Sequence, residues 1–457
     1  MKKSRSKYVC QSCGYESPKW LGRCSECGSW NSFVEELVEP KSAKRSTRVS
    51  PINRPVPISK VPAAAEKRLR TGIGEFDRVL GGGIVEGSVL LVGGAPGMGK
   101  STLLLQVGAA LASQGKRILY VSGEESLHQI KIRADRLSID SERLALLSET
   151  NVEYIKAVLH EEKPDLAVVD SIQTLYSPDL ESLPGNVSQV RYCGHGLTTV
   201  AKEGQTPLFL VGHMTKEGTI AGPRVLEHLV DGLLLLEGDD QHLYRLLRSV
   251  KNRFGSTNEV GIFEMTDRGV EEVKNPSEYL LSQSRAEVSG TVVTVSLQGS
   301  RPLLVEVQAL VTSTSYGIPQ RTATGIDHRR LSILVAVLEK RLGLRFGTQD
   351  VFVNAAGGLY LKEPGVDLAV ALAMVSSIRD KPLDHRAVVM GEVGLAGEVR
   401  GVSHTERRVS EAERLGFQRM ILPKSNLKGI QKKTKIELVG VETVGEAVQK
   451  FMRSKGA

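Results

Sequence analysis

The sequence predicts an α/β core built on a mainly parallel sheet, with a small Cys-rich module before it and an α+β unit after it. Three observations carry this. A glycine-rich loop, Gly94-Ala95-Pro96-Gly97-Met98-Gly99-Lys100-Ser101, stands between an apolar run and a helical stretch. Short apolar runs at 88–92, 117–122, 166–170, 208–212 and 233–237 are separated by helical stretches, the pattern of strands buried on both faces of a parallel sheet. Cys10, Cys13, Cys24 and Cys27 form two Cys-x-x-Cys pairs near the N-terminus.

At roughly 150 residues per domain, the 457-residue chain should hold two or three domains. The divisions expected are a Cys-rich module at 1–35, a linker at 36–64, the P-loop core at 65–275 and an α+β domain at 276–457. The linker carries Pro40, Pro51, Pro55, Pro57 and Pro62 among basic and Ser residues and lacks apolar periodicity. In the last domain, 288–297 and 303–311 read as strands, 329–342 as a helix with Leu331, Leu334, Val335 and Leu338 on one face, 367–377 as a buried helix and 406–415 as an amphipathic one.

Apolar content of 40% and charged content of 25% suit a soluble globular chain. No apolar run approaches the ~18 residues of a membrane span, and no apolar segment follows the basic N-terminus, so the expected location is cytoplasmic, with no membrane partner. The net charge of +8 is local: residues 1–70 hold 15 Lys+Arg against 6 Asp+Glu, and the rest hold 45 against 46. Such a basic segment suits a polyanion, or is a solvated leader.

The loop 94–101 fits G-x-x-x-x-G-K-[ST] in its required strand–loop–helix setting. Gly94, Ala95, Pro96, Gly97, Met98, Gly99, Lys100, Ser101 and Thr102 are therefore the expected nucleotide cradle, with ATP and Mg²⁺ as cofactors. Backbone N–H groups and the helix dipole take the phosphates. Lys100 neutralises the outer phosphates, and Ser101 ligates Mg²⁺. Asp170, ending the apolar run 166–170, is the second Mg²⁺ anchor expected of a Walker B strand. Glu124-Glu125, after the run 117–122, either supply the carboxylate that orients the attacking water, with Glu124 ahead of Glu125, or are an acid pair favoured by a helix dipole. Lys251-Asn252-Arg253-Phe254-Gly255 puts two cations one residue apart in a turn. They reach the γ-phosphate of a neighbouring subunit, touch a nucleic-acid backbone, or are merely solvated.

The two Cys pairs are ten residues apart. Four thiolates at that spacing suit one tetrahedral Zn²⁺ in a closed structural site. Gly14 and Gly28 follow the second Cys of each pair, where a tight knuckle wants an unhindered backbone. Tyr15, Trp20 and Trp30 read as this module's small core in preference to stacking faces for unpaired bases. Cys193 reads as a buried small side chain.

Together these motifs resemble the RadA (Sms) family of bacterial DNA repair proteins. The stretch Cys10-Gln11-Ser12-Cys13-Gly14-Tyr15-Glu16-Ser17-Pro18-Lys19-Trp20-Leu21-Gly22-Arg23-Cys24 looks like that family's finger. Gly93 to Ser101 looks like its Walker A, and Lys251–Gly255 like its own signature. The resemblance covers essentially the whole chain. It implies a RecA-like ATPase fold flanked by a zinc finger and a Lon-protease-like domain. It also implies a DNA-dependent ATPase: a hexameric motor on single-stranded and branched DNA that promotes branch migration and works with a RecA-type recombinase. By similarity Lys100, Ser101 and Asp170 hold MgATP, and Lys251 and Arg253 couple nucleotide to DNA across subunits. Segments 176–189 and 213–224, with Lys216 and Arg224, lie where RecA-like folds carry DNA-facing loops, or are ordinary surface loops.

The Lon-like stretch departs from a protease. Val366 falls where the Ser nucleophile belongs, and Glu406 near the Lys position. Ser376 and Ser377 lie inside a helical pattern with no base in sight. A non-proteolytic scaffold is expected, with Arg321, Arg329, Arg330, Arg407 and Arg408 on a DNA surface or a solvated one. The competing functions are a KaiC-like signalling ATPase acting on proteins and, disfavoured, an ATP-dependent protease.

Overall fold

Along each central strand, successive side chains go to opposite apolar clusters. Leu90 and Val92 enter one, Val89 and Leu91 the other; Phe209 and Val211 divide from Leu208 and Leu210 in the same way. This period-two alternation between two fully apolar faces is why the strand sequences read as continuous apolar runs. In this computed structural model residues 5–11, 14–38, 57, 67–213, 224–238, 244–281, 288–314, 317–428, 430 and 434–452 are described. The chain divides into two compact units, Met1–Val273 and Lys274–Ala457.

The first unit holds a nine-stranded sheet. Its order is Gly269–Glu272, Val260–Thr266, Tyr244–Asn252, Gly232–Gly238, Val89–Gly94, Leu208–His213, Leu166–Asp170, Ile118–Ser122 and Leu144–Ser148. From Gly232–Gly238 to Leu144–Ser148 the pairing is parallel, and beyond Gly232–Gly238 it is antiparallel. Helix Lys100–Ser113 covers one face through Leu103, Leu104, Val107 and Leu111. Helices Val152–Glu162 and Val187–Glu203 cover the other through Ile155, Leu159, Val190 and Leu197. Cys193 lies in that second cluster, and burial pushes its thiol up to about 12, so it is an inert apolar side chain.

The sequence reading lacks strand Leu144–Ser148 and the antiparallel pair 260–272. Leu144–Ser148 is an edge strand, half-buried and Leu/Ala-rich, a composition that favours helix as readily as strand.

In the second unit, a seven-stranded mixed sheet runs Arg321–Thr324, Gln349–Ala355, Arg301–Ser313, Thr291–Gln298, Ala387–Val389, Arg419–Pro423 and Glu437–Val441. Helix Asp367–Ile378 is buried at every position from Asp367 to Ser376. Helix Thr405–Arg414 packs Val409 and Ala412 into the core. Helix His328–Leu342 begins at the N-cap Asp327, whose carboxylate accepts from the Arg330 N–H, and ends at Gly343 in the left-handed region.

Three of the five arginines considered for a DNA surface serve the fold instead. Arg408 is fully buried. It donates to the Val295 carbonyl at 2.7 Å and to both Glu363 oxygens at 2.9 and 2.6 Å. Arg330 grips the buried Asp367 carboxylate with two nitrogens. Arg321 donates to the carbonyls of Gln320, Phe346 and Gln349. Arg329 and Arg407 are exposed. Removing one partner of a buried pair strands the other, at a cost of about 3 kcal/mol. Arg408→Ala should therefore lower the unfolding transition of this unit by several degrees, while Arg329→Ala should leave it in place. Calorimetry separates the two.

Candidate functional site

Four parallel strands, all ending at one edge of the sheet, assemble the site. In register, Gly94 lies beside His213, and Ser122 beside Asp170. The strand order puts His213 between the phosphate loop and Asp170, with Glu124 one strand further on. This is the carboxyl edge of the strands, where open α/β sheets bind ligands.

The loop has the shape a phosphate cradle needs. Gly99 stands at φ +94° as the N-cap of helix Lys100–Ser113. A Cβ at Gly94 would collide with the Leu236 carbonyl oxygen. Ala95, Pro96 and Gly97 are exposed at the loop tip, and Ser101 and Thr102 open the helix, half-buried. Lys100 is 4% exposed. Its ammonium donates to the carbonyls of Gly94 at 2.8 Å and Ala95 at 2.9 Å. Burial lowers its pKa, and the charges of Asp170 and Glu124 act against that shift. These residues fit a bound ATP with Mg²⁺: a donor-rich backbone curl, a buried ammonium and a carboxylate facing one another.

Asp170 is buried, and the buried Tyr120 hydroxyl donates to its Oδ2 at 2.7 Å. Burial, then the Asp170 charge, push the Tyr120 phenol well above its usual range, so it remains a donor. The acid pair at 124–125 is divided by its partners. Glu125 is taken by Arg133 of the helix Leu127–Arg136. Glu124 has other partners: its Oε1 accepts from the Ser171 hydroxyl and lies 2.9 Å from His213 Nε2. The His213 hydrogen bond, with smaller help from Ser171, holds the Glu124 carboxyl down to about 2 against the opposing effect of burial. Sequence reasoning gave no role to Tyr120, Arg133 or Ser171, and it set His213 at the start of a surface or DNA-facing loop, whereas His213 ends strand Leu208–His213. His213 was findable by the rule that found Asp170, because it closes an apolar run next to the loop strand.

Lys251 and Arg253 stand elsewhere. Lys251 lies within strand Tyr244–Asn252, not in a turn, and donates to the carbonyls of Glu227 at 2.6 Å and Val230 at 2.8 Å, at the C-terminal end of helix Arg224–Leu229. Burial, then Arg253, lower its pKa. Arg253 pairs with Asp231 at 3.2 Å, which Lys202 also approaches at 3.1 Å. The second oxygen of Asp231 accepts from the Val89 N–H. The pair therefore sits at the amino end of the loop strand, five residues from Gly94, or roughly 16 Å at ~3.3 Å per residue. In the segment 176–189, Gln189 is buried and bonds Ser177, Leu180 and Ser182, tying that loop back on itself. Lys216 lies outside the described residues, as does the side chain of Arg224.

In the Cys-rich module, strand Arg5–Cys10 pairs with Glu16–Ser17 and Phe33–Val38. Cys10, Cys24 and Cys27 bring their sulfurs within 4.8 Å of one another; Cys13 lies outside the described residues. Cys10 and Cys27 are 3.7 Å apart, and a tetrahedron with Zn–S of ~2.3 Å has sulfur edges of ~3.8 Å. Gly14 and Gly28 take φ of +77° and +72°, and each N–H bonds back to the Cys four residues earlier. The core of the module is Cys10, Cys24 and Phe33, with Tyr8 and Leu21 against it. Trp20 and Trp30 are 52% and 71% exposed, so they are not that core: a module this small closes around its metal knuckles and has no interior for an indole. Purified protein should carry about one zinc per chain, and Cys24→Ala should lose it together with the fold of this module; metal analysis and proteolysis of residues 1–38 read both.

Comparison with known proteins agrees with this assembly. Residues 8–35 match the rubredoxin metal-binding domain, a zinc ribbon; residues 69–157 match the KaiC ATPase; residues 307–426 match the ChlI subunit of Mg-chelatase. The chain is 53% identical to DNA repair protein RadA of Bacillus subtilis (strain 168), over 98% of this chain and 99% of that one. The chain belongs to the RadA family of DNA repair proteins. It is 51% identical to the RadA proteins of Halalkalibacterium halodurans and Listeria monocytogenes, again over 98% and 99%. Among solved structures, the KaiC-like protein PH0186 of Pyrococcus horikoshii OT3 is 23% identical, with a TM-score of 0.39, over 46% of this chain and 99% of that one. The chain thus carries a zinc ribbon, a RecA/KaiC-like P-loop ATPase core and a ChlI/Lon-like domain. Among the described residues no helix is long and apolar enough to cross a membrane.

Proposed function

We propose that this RadA-family ATPase is a DNA-dependent motor. It binds single-stranded and branched DNA as a hexameric ring and promotes branch migration beside a RecA-type recombinase. The observation that carries the reading is the position of Lys251 and Arg253. Arg253 stands a strand's length from its own phosphate loop, and Lys251 turns its ammonium away from that loop to the carbonyls of Glu227 and Val230, so the nucleotide they serve in this reading is a neighbouring subunit's. A ring gives every loop such a neighbour.

In this reading Lys100 and the loop N–H groups bind and orient the triphosphate. Ser101 and Asp170 hold Mg²⁺, which supplies charge neutralisation at the phosphates. Tyr120 fixes the rotamer of Asp170. Glu124, ionised near neutrality, orients the attacking water, while Glu125 is withheld by its pairing with Arg133. The ribbon's four Cys, Cys13 included, hold Zn²⁺. We read the ChlI/Lon-like domain as non-proteolytic. Val366 has no nucleophile, the Ser376 hydroxyl is bound between the Lys381 carbonyl and the Gly290 N–H, and the Ser377 hydroxyl accepts from Val311 N–H.

The match of residues 69–157 to KaiC keeps a second reading, an ATPase acting on protein partners. ATP hydrolysis measured with and without single-stranded DNA decides between them. A DNA motor is stimulated several-fold, and its DNA affinity falls steeply with salt as phosphate contacts release counterions. Turnover indifferent to every form of DNA would sink the motor reading.

A further inference from the structure

We propose that His213 is a positioning residue for hydrolysis: it holds one oxygen of Glu124 so that the other addresses the attacking water. The inference rests on the reading of Glu124 as the water-orienting carboxylate.

His213 is the last residue of strand Leu208–His213, and that strand is flanked by the phosphate-loop strand and the Asp170 strand. From there its ring reaches past the Asp170 strand to a side chain 89 residues earlier in the chain. The Gln173 amide donates to the His213 carbonyl at 3.4 Å, bracing the backbone from which the ring projects. Glu124 follows the end of its own strand by two residues, and its side chain is 37% exposed. A Glu there has three rotatable bonds and little packing to choose among them. Two donors converge on the same oxygen, Oε1: His213 Nε2 and the Ser171 hydroxyl. Two contacts on one oxygen fix the carboxylate and take up Oε1, not Oε2. The charge of Glu124 also raises the pKa of Lys100 in the phosphate loop.

The ring chemistry agrees. An ionised carboxylate only accepts, so Nε2 must carry the proton. Nδ1 is buried with no partner among the described residues. The Nε2 donor of His213 is spent on Glu124. A group that aims a base acts on the chemical step more than on ground-state binding.

The test compares steady-state ATP hydrolysis and thermal melting of the full chain with His213→Ala, His213→Asn, His213→Gln and Glu124→Gln. His213→Ala should lower kcat roughly ten- to hundred-fold with KM for ATP little changed. His213→Gln places an amide N–H near the same point and should restore kcat to within about threefold, whereas the shorter Asn should behave as Ala. Melting temperatures should stay together across the His213 series. Unchanged kcat in His213→Ala, a Gln variant as inactive as Ala, or a loss carried in KM would each overturn the proposal. Glu124→Gln separates the two levels. If it still hydrolyses ATP at the wild-type rate, the assignment of Glu124 fails; if it is inactive while His213→Ala is fully active, only the role of His213 fails.

Discussion

Lys100→Ala is expected to bring ATP hydrolysis to background, a loss of at least ~100-fold in kcat, the scale found when one preorganised stabiliser of developing charge is removed. The reasoning starts from burial. Lys100 is almost wholly enclosed, and its ammonium is fixed to two carbonyls of the loop it serves. It therefore reaches the cradle without a search among rotamers, in a site where charge is poorly screened by water. The charges of Asp170 and Glu124 oppose the desolvation that lowers its pKa. Alanine removes the cation and leaves two carbonyls facing an empty channel. Lys100→Arg should fare little better: it keeps the charge, but a planar guanidinium does not fit a space closed around a compact ammonium. Hydrolysis, nucleotide binding by a fluorescent analogue, and melting temperature are the measurements. Substantial turnover in a folded Lys100→Ala protein would remove the phosphate loop from the mechanism.

The phosphate loop was legible in sequence because its chemistry is local. A curl of N–H groups needs glycines at set spacings, and the helix that follows needs no distant partner. The parallel core strands were legible because burial on both faces writes a continuous apolar run. Strand Leu144–Ser148 was not, since an edge strand that is only partly buried loses that signature. What sequence could not give is who faces whom. Glu124 and Glu125 are neighbours of the same type, and only the fold assigns Arg133 to one and His213 to the other. Arg321, Arg330 and Arg408 read as surface because arginine usually is. Asp367 lies 37 residues from Arg330 and Glu363 45 from Arg408, and Arg321 reaches Phe346 and Gln349, 25 and 28 residues on. The indoles of the ribbon fail for the opposite reason: aromatic residues imply a core only where a core has room.

Arg253→Ala should cut hydrolysis about as severely as Lys100→Ala, because a cation supplied to a γ-phosphate from a neighbouring subunit is worth roughly 10³–10⁵ in kcat. In the chain itself the change is mild. Arg253 is 54% exposed, and Asp231 keeps Lys202 as its partner. No buried charge is stranded, so melting should hardly move. Lys251→Ala is a less clean probe, since it also removes two bonds to the carbonyls of Glu227 and Val230. The decisive experiment mixes two inactive proteins. Lys100→Ala subunits carry an intact Arg253, and Arg253→Ala subunits carry an intact phosphate loop. If the cation works across an interface, random co-assembly makes about a quarter of the interfaces whole, and activity returns in that proportion. If Arg253 serves its own chain, every subunit in the mixture remains defective and nothing returns. Recovery on mixing thus reads, from two dead enzymes, whether the cations at the amino end of the loop strand belong to the next subunit's nucleotide.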